Sequence, residues 1–139
     1  MTSAFIPLLL KSADPRLLFI TSGTSTLAGT EDQVLAVNRH PAAGWPKPGF
    51  IGVPAYRSAK TGLNMLMREW YRILKGDGVK VWAISPGYLA TGLGAGPEVS
   101  KKMGAGDPAV AGPFIQSVVE GERDADVGKV LTKDGIQAW

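Results

Sequence analysis

The sequence Tyr56-Arg57-Ser58-Ala59-Lys60 opens a long amphipathic stretch that continues to Lys75. An α-helix brings residues four positions apart onto one face, so the Tyr56 hydroxyl and the Lys60 ammonium can point the same way. A nearby ammonium favours the ionised form of a phenol, which suits a tyrosine that exchanges a proton with an alcohol or a carbonyl. Tyrosine and lysine at this spacing also occur by chance on ordinary helices, so the pair alone does not establish a catalytic site.

Two short apolar runs, Arg16–Ser22 and Val79–Ser85, flank this helix in the chain. Continuous apolar runs of this length are typical of strands buried on both faces of a parallel sheet. Gly76-Asp77-Gly78 ends the helix, because glycine readily adopts the left-handed turn that follows a helix, and Pro86-Gly87 ends the second run. The order strand, helix, strand requires a crossover connection and therefore predicts an α/β fold with a parallel sheet.

The remaining elements follow from local signals. Asp107-Pro108 predicts the N-cap and first residue of a helix that runs to about Glu120. Pro113 falls within this helix and should either kink it or move its start. The region from Gly23 to Val53 is a long loop rich in glycine, proline and charged residues. The other expected elements are the last turns of a buried helix over Met1–Ser12, a short helix near Pro97–Met103, a polar turn over Glu122–Asp126 and a third strand over Val127–Thr132.

The composition is that of one globular domain. The chain has 139 residues, 45% of them hydrophobic and 19% charged, and a net charge of +3 that is scattered without a basic run. This distribution argues against a nucleic-acid-binding or polybasic membrane surface. The absence of cysteine excludes disulfides and thiolate sites, and the apolar run Ala4–Leu10 is far shorter than the roughly 20 residues that span a bilayer. We therefore expect a cytosolic protein with no membrane partner and no metal site.

Three features stand in a characteristic order: a strand that ends in Ser22, the Tyr56-x-x-x-Lys60 helix, and a strand followed by Pro86-Gly87-Tyr88-Leu89-Ala90-Thr91. This order resembles that of the short-chain dehydrogenase/reductase family. The resemblance extends over nearly the whole chain but covers the second half of that family's domain. It implies a single domain over residues 1–139, with a Rossmann-like parallel sheet and flanking helices. It also implies that this domain is truncated, with its N-terminal dinucleotide-binding half absent.

The resemblance also implies catalytic roles for Ser22, Tyr56 and Lys60. In the family a serine hydroxyl holds the substrate oxygen, a tyrosine passes the proton, and a lysine assists the tyrosine and binds the cofactor ribose. Ser25 is an alternative to Ser22, because several hydroxyl residues crowd the end of the same strand. Serine and tyrosine lie further apart here than is usual in the family, and the additional residues fall in the loop Gly23–Val53, where they could form a wall over the substrate.

By the same resemblance, Pro86, Gly87, Leu89 and Thr91 would line the nicotinamide of NAD or NADP, together with Tyr56 and Lys60. A dinucleotide site also needs a glycine-rich turn between a strand and a helix to receive the pyrophosphate. Gly92-x-Gly94-x-Gly96 is the run most like it, but Pro97 stands where the third glycine is needed and the run comes too late in the chain. We therefore expect cofactor binding to be impaired in a chain that lacks the earlier half.

Two functions are compatible with these features. The first is an NAD(P)-dependent oxidoreductase that acts on a small alcohol, ketone or aldehyde. The second is a non-catalytic remnant that serves as an interaction or dimerisation module. Without earlier strands beside it, Arg16–Ser22 would be an apolar edge strand, and such edges tend to pair with other chains. We therefore expect an oligomer, with itself or with related chains.

Overall fold

A computed structural model describes residues 1–47 and 53–139. Within these residues one four-stranded sheet has the order β1-β2-β3-β4. Strands β1, β2 and β3 run parallel to one another, and β4 returns antiparallel to β3. The strands are β1 Arg16–Ile20, β2 Lys80–Ile84, β3 Val130–Thr132 and β4 Gly135–Ile136. The predicted α/β class and the parallel arrangement are confirmed, whereas the two-residue β4 was not predicted.

Four α-helices accompany the sheet: α1 Thr2–Leu9, α2 Pro54–Leu74, α3 Pro97–Lys102 and α4 Ala111–Val119. Helix α2 has Pro54 in its first turn, and Gly78 beyond its end adopts the left-handed conformation with φ of 74°. The Asp107 side chain caps a short 3₁₀ turn that leads into α4, so Pro113 lies in the first turn of that helix and does not kink it. Across residues 1–47 and 53–139, the helices are all too short or too polar to cross a membrane.

Strand β2 lies at the centre of the hydrophobic core because its side chains alternate between the two faces of the sheet. Val81 and Ala83 face α2, where they pack with Met67 and Leu74. On the other face, Trp82 and its neighbours pack against residues of α4 and β3. The two faces are therefore both covered by helices, as expected for a parallel sheet.

Strand β1 is less buried than its sequence predicts. Four of its five residues are half-buried, and Ile20 is 44% exposed. The reason is its position, since β1 pairs with β2 on one side and occupies the edge of the sheet formed by the described residues. The expectation of a strand buried on both faces was wrong, and the expectation of an apolar edge strand is confirmed.

Two helices also expose apolar residues. Helix α1 has no buried residue, and Phe5 and Leu8 are exposed while Ile6 and Leu9 pack against the core. In α2, Leu66 and Ile73 are exposed. The expectation of a buried helix over Met1–Ser12 was therefore wrong, because α1 packs on the core through one side only.

The segment after β1 is irregular, as predicted. It contains 3₁₀ turns at Gly23–Ser25, Ala28–Glu31 and Ala36–Asn38. The Asn38 amide donates to the Gly29 and Asp32 carbonyls at 2.7 and 2.8 Å and so ties the last two turns together. The predicted loop continues to Val53, and its residues 48–52 lie outside the described part of the chain.

A cluster of four charged residues joins the amino-terminal ends of β1 and β2 to the turn before β3. Arg16 donates to both carboxylate oxygens of Asp124, at 2.6 and 3.0 Å, and Lys80 donates to Asp124 at 2.5 Å and lies 2.8 Å from Asp14. These hydrogen bonds, that from Arg16 first, lower the pKa of Asp124 to about 2. The polar turn predicted over Glu122–Asp126 is therefore present, and Asp124 anchors it to the sheet.

Candidate active site

The carboxyl-terminal ends of β1 and β2 meet at one edge of the sheet. The chain continues from β1 into Ser22 and Gly23, and from β2 into Ser85 and Pro86. These two ends are close together, since a methyl group added at Gly23 would lie 3.7 Å from the Ser85 hydroxyl. Two of the three sequence segments assigned to a site therefore converge at this edge.

Helix α2 brings the third segment to the same edge. The Lys60 ammonium donates a hydrogen bond of 2.8 Å to the Ile20 carbonyl, the last of β1. The same ammonium lies 5.8 Å from the centre of the Tyr56 ring, one helical turn earlier. Tyr56 is 36% exposed, so its phenol remains accessible from solvent. The Lys60 ammonium therefore lies next to both the end of β1 and the Tyr56 ring. The i, i+4 spacing predicted that Tyr56 and Lys60 would be neighbours.

Ser22 is half-buried in an extended conformation, with φ of −152° and ψ of 149°. Its hydroxyl accepts a hydrogen bond from the Thr24 backbone N–H at 3.2 Å and lies 3.0 Å from the Thr24 hydroxyl. Both partners belong to the short turn that follows. The Ser22 hydroxyl can therefore donate its own proton outward while the turn holds its oxygen in place.

Ser25, the alternative serine, lies in a different environment. Its side chain is 1% exposed and its hydroxyl donates to the Ser22 carbonyl at 2.6 Å. It also accepts from the Asn64 amide at 2.9 Å and from the Gln137 amide at 3.1 Å. One donor and two acceptor positions exhaust what a hydroxyl offers, so Ser25 has no capacity left for a substrate in this arrangement.

The segment Pro86–Thr91 leaves the end of β2 as an irregular turn, with Gly87 in the left-handed region at φ of 103°. Leu89 and Gly106 form an isolated parallel bridge, in which Ala90 N–H donates to the Gly106 carbonyl at 2.9 Å. The Thr91 hydroxyl is exposed and accepts from the Leu93 backbone N–H at 3.3 Å. Pro86 and Gly87 therefore directly follow Ser85 at the end of β2 that lies next to the serine segment, and Leu89 and Thr91 continue the same turn.

An open hollow of about 300 Å³ lies between the loop after Ser22 and the first turns of α2. Its lining is mostly threonine and serine, with Arg57 as the charged residue. The Arg57 side chain donates to the Thr24 carbonyl at 3.2 Å and so joins the helix to the serine turn. The sequence pattern gave no site role to Arg57, Asn64 or Gln137, although Asn64 follows Lys60 by four positions and shares its helix face.

Comparison with known proteins relates the chain to one family. A family model described as short chain dehydrogenase matches residues 42–100. The chain is 50% identical to the short-chain dehydrogenase/reductase tropE of Talaromyces stipitatus, over 97% of this chain and 51% of that protein. It is 46% identical to the short-chain dehydrogenase/reductase eupG of a Phoma species, over 99% of this chain and 52% of that protein. The chain therefore spans about half the length of both relatives.

Solved structures resemble this one at low sequence identity. The carbonyl reductase Sniffer of D. melanogaster matches with a TM-score of 0.68 and 19% identity, over 99% of this chain and 51% of that protein. An NADPH-bound carbonyl reductase from chicken fatty liver matches with a TM-score of 0.67 and 20% identity, over 99% and 51% of the two chains. At these identities the likeness bears on the fold alone.

Proposed function

The chain belongs to the short-chain dehydrogenase/reductase family and has its Rossmann-like α/β fold, and from this premise we propose a specific activity. It contributes the catalytic half of an NAD(P)-dependent oxidoreductase that interconverts a small alcohol and a ketone or aldehyde, with Tyr56 as general acid and base. We propose a cytosolic location for this reaction.

The observation that carries the proposal is the position of Lys60. Its ammonium is held at the end of β1 by the Ile20 carbonyl and lies next to the Tyr56 ring. A positive charge fixed beside the ring can stabilise the negative charge that develops on the phenol oxygen during proton transfer. Because β1 leads directly into Ser22, the same edge of the sheet supplies a hydroxyl that can bind a substrate oxygen.

In the direction of reduction, the carbonyl oxygen accepts hydrogen bonds from the Ser22 and Tyr56 hydroxyls. The nicotinamide, when bound, supplies a hydride to the carbonyl carbon. Tyr56 gives its proton to the oxygen as negative charge develops there, and Lys60 stabilises the resulting tyrosinate. We assign the serine role to Ser22 and not to Ser25, because the Ser25 hydroxyl is fully engaged within the protein.

The residues of this chain fit one end of the cofactor. Lys60 and Tyr56 would hold the nicotinamide ribose, and the turn Pro86-Gly87 with Leu89 and Thr91 would line the nicotinamide. In the part of the chain that the structure describes, no glycine-rich turn joins a strand to a helix to receive the pyrophosphate. Gly94 and Gly96 are in the left-handed region, but they precede the six-residue α3 and follow no strand.

The proposal is tested by reduction of a panel of small ketones and aldehydes, followed through the absorbance of NADPH or NADH. We expect Tyr56→Phe to lower kcat by about 10²- to 10⁴-fold, the usual contribution of a positioned acid/base group. Tyr71→Phe is a matched control on the same helix, where the ring packs against Arg68 and carries no catalytic role. Binding of either cofactor is followed separately through tryptophan fluorescence.

Equal turnover by the wild-type and Tyr56→Phe proteins would refute the role of Tyr56. Failure of both cofactors to bind would refute an independent reductase and favour the second candidate, an interaction module. That candidate is supported by the apolar side chains that α2 exposes, Met65, Leu66 and Ile73. Light scattering tests this candidate, since a monodisperse monomer would count against an interaction module.

A further inference from the structure

We propose that Gln137 is a positioning residue for Ser22. It lies 115 positions further along the chain, in the segment that follows β4, and its side-chain amide donates to the Ser22 carbonyl at 3.2 Å. The inference rests on the proposed function, because it assigns Gln137 to the geometry of the serine that binds the substrate oxygen. It adds a residue outside the serine, tyrosine and lysine segments to the same site.

The Ser22 carbonyl receives three donors. The Ser25 backbone N–H donates at 3.0 Å, the Ser25 hydroxyl at 2.6 Å and the Gln137 amide at 3.2 Å. The first two come from the same local turn and fix only its internal shape. The third comes from a different part of the fold, so it fixes where the whole turn lies relative to the sheet.

Both hydrogens of the Gln137 amide are used, because the second is donated to the Ser25 hydroxyl at 3.1 Å. That hydroxyl also accepts from Asn64, and Asn64 in turn accepts from the Thr21 hydroxyl at 2.6 Å. The Thr21 hydroxyl also lies 3.2 Å from the Ser25 hydroxyl and 3.3 Å from the Lys60 carbonyl, so these side chains form one connected cluster. Gln137 therefore closes a buried network that links the end of β1 to helix α2, the helix that carries Tyr56 and Lys60.

The segment that carries Gln137 is itself tied to the serine loop. The Trp139 carbonyl accepts from the Ala28 backbone N–H at 2.8 Å and from the Thr26 hydroxyl at 3.1 Å. The Gln137 backbone N–H donates to the Val130 carbonyl at 2.9 Å. Residues 137–139 thus form a strap from β3 across the loop that follows Ser22, and the Gln137 side chain is its contact with the serine.

Replacement of the amide tests this role. Gln137→Met keeps the length of the side chain and removes both donors, and Gln137→Glu keeps polarity while placing an acceptor against the Ser22 carbonyl. A displacement of about 1 Å at a positioned group can lower turnover by about 10²-fold. We expect both variants to lower kcat by about 10- to 100-fold and to leave the KM for the cofactor unchanged, because the Gln137 amide bonds the serine turn and none of the proposed cofactor residues.

The matched control is Gln116→Met, which removes an exposed glutamine whose amide donates to Glu120 on α4, away from the site. Amide hydrogen exchange over residues 21–26 supplies a readout that needs no activity. We expect the Ser25 amide to exchange about 10-fold faster in both Gln137 variants and unchanged in the control, since a weaker network opens more often.

Faster exchange together with a lower kcat and an unchanged cofactor KM supports the proposal. Unchanged exchange in both Gln137 variants would overturn it, and so would faster exchange with unchanged kcat. If the wild-type protein itself reduces no carbonyl, the proposed function fails on that result. The exchange measurement then still decides whether Gln137 holds the Ser22 turn.

Discussion

Asp124→Asn removes the negative charge at the centre of the ion cluster while keeping the size of the side chain. In the wild-type protein this carboxylate accepts two hydrogen bonds from Arg16 and one from Lys80. The Arg16 side chain is 10% exposed, so the loss of its partner leaves a nearly buried cation with weaker compensation. We expect the variant to unfold more readily at neutral pH.

The size of the effect follows from the pKa of Asp124, which falls from 3.8 to about 2 on folding. At about 1.36 kcal/mol per pKa unit, the ionised Asp124 would contribute about 2.4 kcal/mol to the free energy of unfolding if it were shielded from solvent. The Asp124 side chain is 34% exposed, and screening by solvent reduces the expected contribution to about 1 kcal/mol. Because the folded pKa is the lower one, this stability is complete above about pH 4 and is lost as the pH falls through about 2.

The assay is urea unfolding of both proteins at pH 7, 4 and 3, followed by tryptophan fluorescence. The difference in the free energy of unfolding should be about 1 kcal/mol at pH 7 and should shrink at pH 3. Glu69→Gln is the control, because it removes the same charge from an exposed pair with Arg72 on α2 and should change stability little. A difference that is equal at pH 7 and pH 3 would refute the electrostatic explanation.

Two further predictions concern packing and backbone conformation. Met67 is fully buried beneath the sheet, so Met67→Ala should lower the free energy of unfolding by about 2 to 5 kcal/mol, measured by urea denaturation. Gly78→Ala should lower the free energy of unfolding by about 1 to 2 kcal/mol. The reason is the backbone angle φ of +74°, since the added methyl group would meet open space. Gly128→Ala should lower the free energy of unfolding by more, since φ is +83° and the new methyl would lie 3.0 and 3.1 Å from two ring atoms of Tyr71; equal losses would contradict this steric argument.

Much of the fold could be predicted because its signals are local. Pro54 and Gly78 mark the two ends of α2, and the central strand β2 is continuously apolar. What could not be predicted depends on neighbours distant in the chain. The exposure of Leu66 and Ile73 depends on which side of α2 packs against the sheet, and two-residue strands such as β4 are too short to carry a periodic pattern.

The same distinction applies to the site. Tyr56 and Lys60 could be predicted as neighbours because helical geometry fixes residues four positions apart. The choice between Ser22 and Ser25 could not be made from sequence, since both follow the same strand and differ in what packs against them. Gln137 carries no local signal at all, because its relation to Ser22 exists only once the sheet has formed.

The bridge between Leu89 and Gly106 has a consequence for how this protein can change. The bridge joins the two ends of residues 90–105, so these residues form a closed loop that follows the proposed nicotinamide-lining turn. Doubling the length of such a loop costs only about 0.6 kcal/mol of closure entropy. The length of residues 90–105 can therefore change at little cost in closure entropy while the bridge between Leu89 and Gly106 stays in place.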